Sequence, residues 1–414
     1  MTALSGPILF NATSGGSDTA ASGVGPETAV TGTGASTTAS SAVVTGISTT
    51  GVSAGDLLFI QSSSGRKFSV IASVDSSTQV TCDDVFANTE SGRSWAIGGK
   101  RATFDNADSR KVFQEIGPQF KGSIQTETDQ TITSPITPVS QNSGMGGIVE
   151  SAGDMKTITL TTNDSHFEGG GSHMIVKNLK FANSASGTKN APIFQWNNTW
   201  GRLPVTAFSC VFGDQTNPCY ELYFGGGSYR SSINMYRCTI QYMTSSIAFR
   251  NNQNRQVVQN CLFQNNSSVA CGFSGSSGGL TADIRGCIFA NQPTGFSNGR
   301  AGSTALVNNI FYNCSSNAIY YSIDPPVAVV GNLFVNCGTA INNANSTISN
   351  AGIENNYFYN NTTKYVNQNF AASAIADVDL SADPFVNAAN GDFNLNNNLG
   401  GGSVLRSTKY TLGG

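Results

Sequence analysis

A short pattern of alternating apolar and polar positions recurs along the C-terminal two-thirds of the chain. The clearest copies read aliphatic-x-(Asn/Gly)-(Cys/Asn)-x-aromatic, as in Val258-Gln-Asn-Cys-Leu-Phe263 and Val329-Val-Gly-Asn-Leu-Phe334, and three weaker copies precede them. The copies end at positions 181, 212, 240, 263, 289, 311, 334 and 358, so they are 22–31 residues apart. Alternation with a period of two is typical of strands, and a repeat of this length indicates a solenoid. The pattern therefore predicts a parallel β-helix.

One register of the repeat holds cysteine or asparagine in seven of the eight copies. Equivalent positions of neighbouring coils stack about 4.8 Å apart. We therefore expect an interior ladder in which small thiols pack and stacked amides hydrogen-bond along the axis. Asparagine also tolerates the left-handed backbone that a sharp bend needs. The residues of this structural ladder are Cys210, Cys238, Cys261, Cys287, Asn309, Asn332 and Asn356.

The rest of the chain divides into segments of different character, and the predicted fold class is all-β. Residues 1–35 are small and polar and are interpreted as an N-terminal arm. Residues 36–103 alternate short apolar runs with turn signals and predict a small β module. Residues 104–120 contain the best helical stretch, which we expect to form a short capping helix before the first coil. The β-helix then takes residues 121–400, and residues 401–414 are expected to form a C-terminal strand or tail.

Composition narrows the classes of protein that fit. Charged residues make up 11% of the chain and the formal net charge is −3, so no basic patch suggests a nucleic-acid partner. No apolar run approaches the length of a membrane span, and no signal peptide is visible at the N-terminus. The nine cysteines include no C-x-x-C pair, which disfavours a metal or redox centre. We expect buried reduced thiols, no metal and no cofactor, in a protein made in a cytoplasm.

Two groups of residues are candidates for chemistry or binding. A β-helix that hydrolyses or eliminates polysaccharide needs paired carboxylates, and Glu221 and Asp283 are the catalytic candidates. The acids of the repeat do not share a register on neighbouring coils, so no pair is visible. Exposed aromatic side chains could bind carbohydrate or a protein partner; they could equally cover the flank of the solenoid or fill a subunit interface. These candidates are Trp196, Trp200, Tyr223 and Tyr229.

The repeat motif, the asparagine column at a bend and the expected capping helix together resemble the pectate-lyase-like superfamily of right-handed parallel β-helices. The segment that begins Ala382-Asp-Pro-Phe is similar to the closing coil of such proteins. Further upstream, Val52-Ser-Ala-Gly-Asp-Leu-Leu and Trp95-Ala-Ile-Gly-Gly-Lys resemble modules that precede β-helices in phage structural proteins. The first resemblance implies a fold, which hosts lyases, hydrolases, adhesins and tailspikes, and it does not by itself select a function.

These resemblances favour a non-enzymatic virion protein of a phage, made in the host cytoplasm. It would be a tailspike- or fibre-like adhesin or a capsid-surface decoration that projects a rigid β-helix. Residues 1–103 would attach it to other virion proteins, a host-surface glycan is a further candidate partner, and the resemblance implies a homotrimer. Nucleic acid and membrane are not expected as partners. The alternative is a polysaccharide-degrading tailspike or a free polysaccharide lyase or hydrolase, and a third reading is a bacterial surface adhesin.

Overall fold

A computed structural model of the chain describes most of its repeat region and all of its N-terminal β module. The described residues are 8–10, 23–103, 123–133, 147–161, 174–184, 205–216, 218–219, 222–224, 232–245, 247–251, 255–273, 280–298, 302–322, 326–344, 352–367 and 376–407. The fold is all-β and contains a parallel β-solenoid of about seven turns, which confirms the predicted fold class. Tertiary contacts divide the chain into two units, residues 1–180 with 199–203 and residues 181–198 with 204–414.

The first unit begins with a closed antiparallel barrel whose strand order is β2-β3-β6-β5-β4-β7. Its core is apolar and includes Leu58, Ile71 and Trp95. A Cβ atom on Gly32 would lie 2.9 Å from the Trp95 ring, so this strand needs glycine there for the indole to pack on its backbone. The strands are β2 Val30–Thr37, β3 Val43–Thr45, β4 Leu57–Ser62, β5 Gly65–Ser76, β6 Gln79–Cys82 and β7 Glu90–Ile97.

The boundary expected at residue 35, between the arm and the module, lies inside β2 of the barrel. Farther upstream, strand β1 (Ile8–Phe10) pairs in parallel with strand β8 (Ser123–Thr126), with Ile8 opposite Ile124. These residues of the expected arm are therefore parts of sheets. The capping helix expected at 104–120 lies outside the described residues.

The same unit also contains the first coils of the solenoid, in two parallel sheets. The Lys100 ammonium links the end of the barrel to the first coil, since it lies 2.7 Å from a Glu27 carboxylate oxygen and 2.6 Å from a Glu127 carboxylate oxygen. One sheet contains β1 Ile8–Phe10, β8 Ser123–Thr126, β10 Gly147–Ser151 and β12 Met174–Lys177. The other contains β9 Gln130–Ile132 and β11 Lys156–Leu160.

The second unit is built from three columns of parallel, in-register strands, here called sheets A, B and C. Sheet A contains β14 Val205–Phe208, β17 Ser232–Tyr236, β20 Arg255–Gln259, β23 Leu280–Arg285, β25 Gly302–Val307, β27 Ala328–Val330 and β30 Ile353–Glu354. Sheet B contains β13 Leu179–Asn183, β15 Val211–Phe212, β18 Thr239–Gln241, β21 Leu262–Gln264, β28 Leu333–Val335, β31 Tyr357–Tyr359 and β33 Val378–Asp379. Sheet C contains β16 Leu222–Phe224, β19 Ile247–Asn251, β22 Val269–Phe273, β29 Thr339–Asn343 and β32 Thr363–Val366. Two long strands, β24 Ile288–Asn298 and β26 Ile310–Tyr321, run through both B and C.

Within the described residues of the coils, the bend from sheet A to sheet B and the bend that ends sheet B each use one residue with left-handed backbone. The non-glycine residues at these bends have φ between 51° and 56°, a region that asparagine and glycine enter at the lowest cost. The bend from sheet A to sheet B lies at Ser209, Arg237, Asn260, Gly286, Asn308, Gly331 and Asn355. The bend that ends sheet B lies at Tyr242, Asn265, Asn291, Asn313, Asn336 and Asn360.

A column of stacked rings fills the interior behind sheet B. Phe263, Phe289 and Phe311 follow one another with ring centroids 4.8 Å apart, and Phe334 and Phe358 continue the column at 5.1 and 5.2 Å. Parallel strands in register force this arrangement, because equivalent side chains must lie directly above one another. Such pairs add to the stability that burial alone provides.

The cysteine and asparagine register lies beside this column, fully inside the solenoid. Asn309 and Asn332 each donate through both their backbone N–H and their side-chain amide to the next asparagine oxygen, at 3.0–3.2 Å. At the start of the asparagine run, the Cys287 N–H donates to Asn309 Oδ1 at 2.9 Å. At its end, the Asn356 N–H donates to Asp377 Oδ1 at 3.0 Å.

A C-terminal segment folds back over the outer face of sheet B. It contains a hairpin, β34 Phe385–Asn387 and β35 Asp392–Leu395, joined by a 3-10 turn, Ala388–Asn390, and it ends in the helix α1, Gly402–Ser407. Leu380, Phe385 and Leu405 pack against outward side chains of sheet B such as Leu333 and Tyr357.

The helix corrects the expectation of a strand or tail over residues 401–414, at least for residues 402–407. Its cause is local hydrogen bonding that the apolar pattern does not show. The Arg406 guanidinium donates to the carbonyls of Leu395 and Asn396, and Asn396 Oδ1 accepts the Gly402 N–H at 3.2 Å. These bonds close a turn in which Leu405 reaches the apolar cluster. Residues 408–414 lie outside the described part of the chain.

Candidate binding surface

The outer face of sheet A is the described surface that carries both a candidate acid and exposed aromatic side chains. Side chains along its strands alternate in direction, so Ala207, Met235 and Val258 point into the core, although Thr206 and Val257 on the opposite face are also buried. The residues on either side of each inward position lie in two outward columns. One column holds Phe208, Tyr236, Gln259, Arg285, Val307, Val330 and Glu354, and the other holds Thr206, Asn234, Val257, Asp283, Ala305 and Ala328.

Phe208 and Tyr236 form a stacked aromatic pair at the start of this face. Their ring centroids lie 5.0 Å apart with planes 16° from parallel, and Phe208 is 37% exposed. In the neighbouring column, Asn234 Nδ2 donates to Thr206 Oγ1 at 3.4 Å. Thr206 is buried, so its hydroxyl positions the Asn234 amide rather than facing solvent. An apolar ring edge beside an amide is a combination that polar ligands with apolar faces, such as sugars, can use.

Asp283, a candidate catalytic acid, also lies on this face. Its carboxylate forms an ion pair with Arg285 of the same strand, with Nε 2.5 Å from Oδ1. Its in-register neighbours on the adjoining strands are Val257 and Ala305. The described neighbours of the Asp283 carboxylate are therefore one arginine and two aliphatic side chains.

Glycoside hydrolysis needs two carboxyl groups about 5–10 Å apart. The next described acid on the outer face of sheet A is Glu354, in the other outward column and three coils beyond Asp283. At about 4.8 Å per coil, the two acids are about 14 Å apart along the axis. They do not form a hydrolytic pair. The other catalytic candidate, Glu221, lies outside the described residues.

The aromatic candidates are only partly visible. Trp196, Trp200 and Tyr229 lie outside the described residues. Tyr223 belongs to β16 of sheet C, where its backbone pairs with that of Arg250; its side chain is outside the described set. None of these four side chains is among the described ones, so their place relative to sheet A stays a prediction.

Sequence analysis did not single out Phe208 and Tyr236, although both lie inside copies of the repeat. Each lies four residues before the last position of its copy, at 212 and 240. In other copies this register holds polar or aliphatic residues such as Gln259 and Val307. The available signal was an aromatic residue at a register that faces outward. The sequence alone does not show which register faces outward; the positions of the bends in the structure do.

The ladder residues occupy the core rather than a surface. All nine cysteines are buried and unpaired as disulfides. Burial raises the pKa of Cys82 and that of Cys219 to about 12 in each case, so both thiols stay protonated at neutral pH. Within the described ranges no group of three or more His, Cys, Asp or Glu side chains could hold a metal ion. The described part of the chain likewise has no helix long and apolar enough to cross a membrane.

A small cavity of about 140 Å³ lies on the barrel, between the β4–β5 hairpin and the segment that leads into β7. Ile60, Phe68 and Phe86 form its apolar lining and Lys67 lines it too. Glu90 also lines the cavity, but its carboxylate already accepts hydrogen bonds from neighbouring serines. It accepts hydrogen bonds from the Ser62 and Ser63 hydroxyls and from the Ser63 N–H. With help from Arg93, these bonds hold the pKa of Glu90 below its usual value.

The fold and this surface define the chain as a β-solenoid protein that carries a closed β-barrel near its N-terminus. No family model matches the chain, and no curated protein matches it significantly.

Proposed function

We propose that this chain is a non-enzymatic structural protein of a phage virion that displays its solenoid as a binding surface. In this proposal it is a pectate-lyase-like β-helix, used as a tailspike- or fibre-like adhesin or as a capsid-surface decoration. It is made in the host cytoplasm and acts on the virion as a homotrimer. Residues 1–103 attach it to other virion proteins, and a glycan of the host surface is its external partner.

The observation that carries the proposal is the surroundings of Asp283 on the sheet face that also carries the aromatic pair. Asp283 forms an ion pair with Arg285 and lies between Val257 and Ala305, whereas Phe208 and Tyr236 present ring surface. A carboxylate with no second carboxyl group within about 5–10 Å lacks the pair that glycoside hydrolysis uses. Aromatic and amide groups suit binding without bond cleavage.

The interior of the solenoid supports a display role. Each coil is joined to the next by strand pairing, by the asparagine ladder from Asn309 to Asn356 and by stacked rings. Stacked coils that contact only their neighbours make extended binding surfaces. A framework of this kind holds outward side chains at fixed spacing.

The barrel supports a separate attachment role. It has a core of its own, and its strands close on one another without an open edge. Its surface includes Val85, which is 65% exposed beside the small cavity. A compact module with an exposed apolar residue and an adjacent cavity is suited to contact with a neighbouring protein.

The test combines a cleavage assay with localisation on particles. The full chain and its Asp283→Ala and Glu221→Ala variants are incubated with polysaccharides of the host surface, and new reducing ends and unsaturated products are measured. We expect no product from any of the three proteins, and we expect antibody-gold labelling of phage particles grown on that host. Product formation that Asp283→Ala or Glu221→Ala abolishes would establish the polysaccharide-degrading alternative. Particles without label would refute the virion assignment.

A further inference from the structure

The outer face of sheet C carries a second patch, distinct from the surface of sheet A. Strands β24, β26 and β29 are in register there, and they align Thr294, Asn317 and Thr339 in one column. The same pairing places Ser297, Tyr320 and Asn342 in a parallel column. Hydroxyl, amide and phenol groups thus repeat along the axis at the coil spacing of about 4.8 Å.

The amides of this patch are held in place by each other. Asn342 Nδ2 donates to Asn317 Oδ1 at 2.9 Å. This bond uses one donor of Asn342 and one lone pair of Asn317, so each amide retains capacity for further hydrogen bonds. Asn317 and Asn342 are half-buried, as is Tyr320, so they are positioned by the fold and still reach the surface.

Tyr320 has no aromatic neighbour in its own column. The residues in register with it are Ser297 on one side and Asn342 on the other. This differs from sheet A, where Phe208 and Tyr236 cover a face of each other. A phenol ring between two smaller polar residues can offer its face to a ligand, which a stacked pair cannot do to the same extent.

The patch is also uncharged. The chain has no Lys or Arg between residues 301 and 363, and its acids there are Asp324 and Glu354. Lys364, which follows in β32, forms an ion pair with Asp379, with Nζ 2.5 Å from a carboxylate oxygen. Thr294 is buried, and a ligand with a formal charge would find no described counter-charge among the five other residues of the patch. A neutral polyhydroxylated ligand matches both the hydrogen-bonding groups and the lack of charge.

We propose that this patch, formed by Ser297, Asn317, Tyr320, Thr339 and Asn342, binds an uncharged polysaccharide. Tyr320 stacks on one sugar ring, and Asn317 and Asn342 hydrogen-bond to ring hydroxyls. The proposal rests on the proposed display function, which it deepens by naming the class of glycan and a second place of contact.

The test is affinity electrophoresis of the full chain through native gels that contain either neutral or acidic polysaccharides. The neutral probes are mannan, dextran and galactan, and the acidic probes are alginate and hyaluronan. We expect at least one neutral polysaccharide to retard the wild-type protein, and neither acidic one to do so. For the retarding polysaccharide, Tyr320→Ala should raise the dissociation constant about tenfold or more, as expected for the loss of one stacking contact.

Matched variants separate the stacking contact from a general loss of structure. Tyr320→Phe keeps the ring and should be retarded almost as strongly as the wild type. Asn317→Ala should weaken binding through the amides, whereas Val327→Ala, at a residue 56% exposed and outside the patch, should leave it unchanged. Thermal unfolding of each variant shows that it is folded.

Three outcomes would overturn the inference: no retardation by any of the neutral polysaccharides, retardation by the acidic ones only, or equal retardation of the wild type, Tyr320→Ala and Asn317→Ala. Failure of the proposed function would appear elsewhere. A protein that cleaves polysaccharide, or that is absent from phage particles, could still bind a neutral glycan through Tyr320.

Discussion

Asparagine has two separate uses in adjacent positions of the repeat. At Asn308 and Asn355 the backbone is left-handed and makes the bend from sheet A to sheet B. The next residue in each case, Asn309 and Asn356, points inward and forms hydrogen bonds from coil to coil. The first use depends on the low cost of left-handed backbone for asparagine. The second depends on an amide that donates and accepts at once.

Replacing Asn332 by leucine tests the inward use. Asn332 is fully buried; it accepts from Asn309 and donates to the Leu306 carbonyl and to Asn356. The variant leaves the Asn309 backbone N–H without its acceptor and removes one hydrogen bond each from the Leu306 carbonyl and Asn356 Oδ1. A buried polar group left without a partner costs about 1–3 kcal/mol. We expect the free energy of unfolding to fall by at least about 3 kcal/mol, measured by urea denaturation.

The matched control is Gln256→Met, which makes a similar change of amide to apolar side chain in the same interior. Gln256 is fully buried, and within the described part of the chain neither of its amide atoms has a hydrogen-bond partner. Removing an unpaired buried amide should raise the free energy of unfolding by about 1–2 kcal/mol. Equal destabilisation by both variants would show that the amide bonds of the ladder have no special weight.

At the scale of single elements, the outer face of sheet B changes character along the axis. It is polar at Thr239 and Gln264, where Gln264 Nε2 donates to Gln241 Oε1 at 2.8 Å. Farther on it becomes apolar, at Leu333 and Val335, and there the C-terminal segment covers it. The change is visible in the sequence, yet the repeat does not say what covers the apolar part. Over residues 401–414 the sequence therefore predicts only a strand or tail, whereas hydrogen bonds of Arg406 and Asn396 fold residues 402–407 into a helix.

Asp377 is the residue at which the asparagine ladder ends. Its Oδ1 accepts the Asn356 N–H, and its other oxygen accepts the Tyr365 hydroxyl. Burial raises the pKa of Asp377, against the lowering effects of these hydrogen bonds and of Lys364. The native state therefore favours the protonated acid relative to the unfolded chain. This contribution to stability is complete below the ordinary carboxyl value of 3.8 and is lost as the pH rises through the native pKa.

An amide at this position cannot ionise and would add one more rung to the ladder. We therefore expect Asp377→Asn to gain stability relative to the wild type as the pH rises from about 4 to about 8, measured by urea midpoints at both values. Asp379→Asn is the control, since this acid is exposed and paired with Lys364 and should change little. Parallel pH dependence of the wild type and Asp377→Asn would contradict the assignment.

At the scale of the whole molecule, the solenoid was predictable and much of its surface was not. The motif that ends at Phe263, Phe311 and Phe334 is local, so its alternation and spacing are sufficient to predict parallel stacked coils. Closure of the barrel is not local, because β7 pairs with both β2 and β4. The Phe208–Tyr236 pair required knowledge of which register faces outward. Trp196 and Trp200 fall in the longest interval between copies, where the repeat gives no register.

The assembly state is the prediction that belongs to this scale. The homotrimer implied by the resemblance to viral β-helices should give a native mass about three times the chain mass of 43.2 kDa. Light scattering on the full chain with its thiols kept reduced measures this directly. A monomer at all accessible concentrations would contradict the trimer and would limit assembly to the particle itself.

Because coils contact one another mainly through their immediate neighbours, the solenoid has no intrinsic length. Excising residues 239–261 would join Cys238 directly to Leu262, which restores the motif at the junction and removes one full coil. The same excision would take out Ile240, which separates Phe212 from the rings that begin at Phe263. A shortened protein of this kind should remain folded. Recombination between copies of the repeat could therefore lengthen or shorten the solenoid, and with it the length of its outer faces, while the segments at both ends stay unchanged.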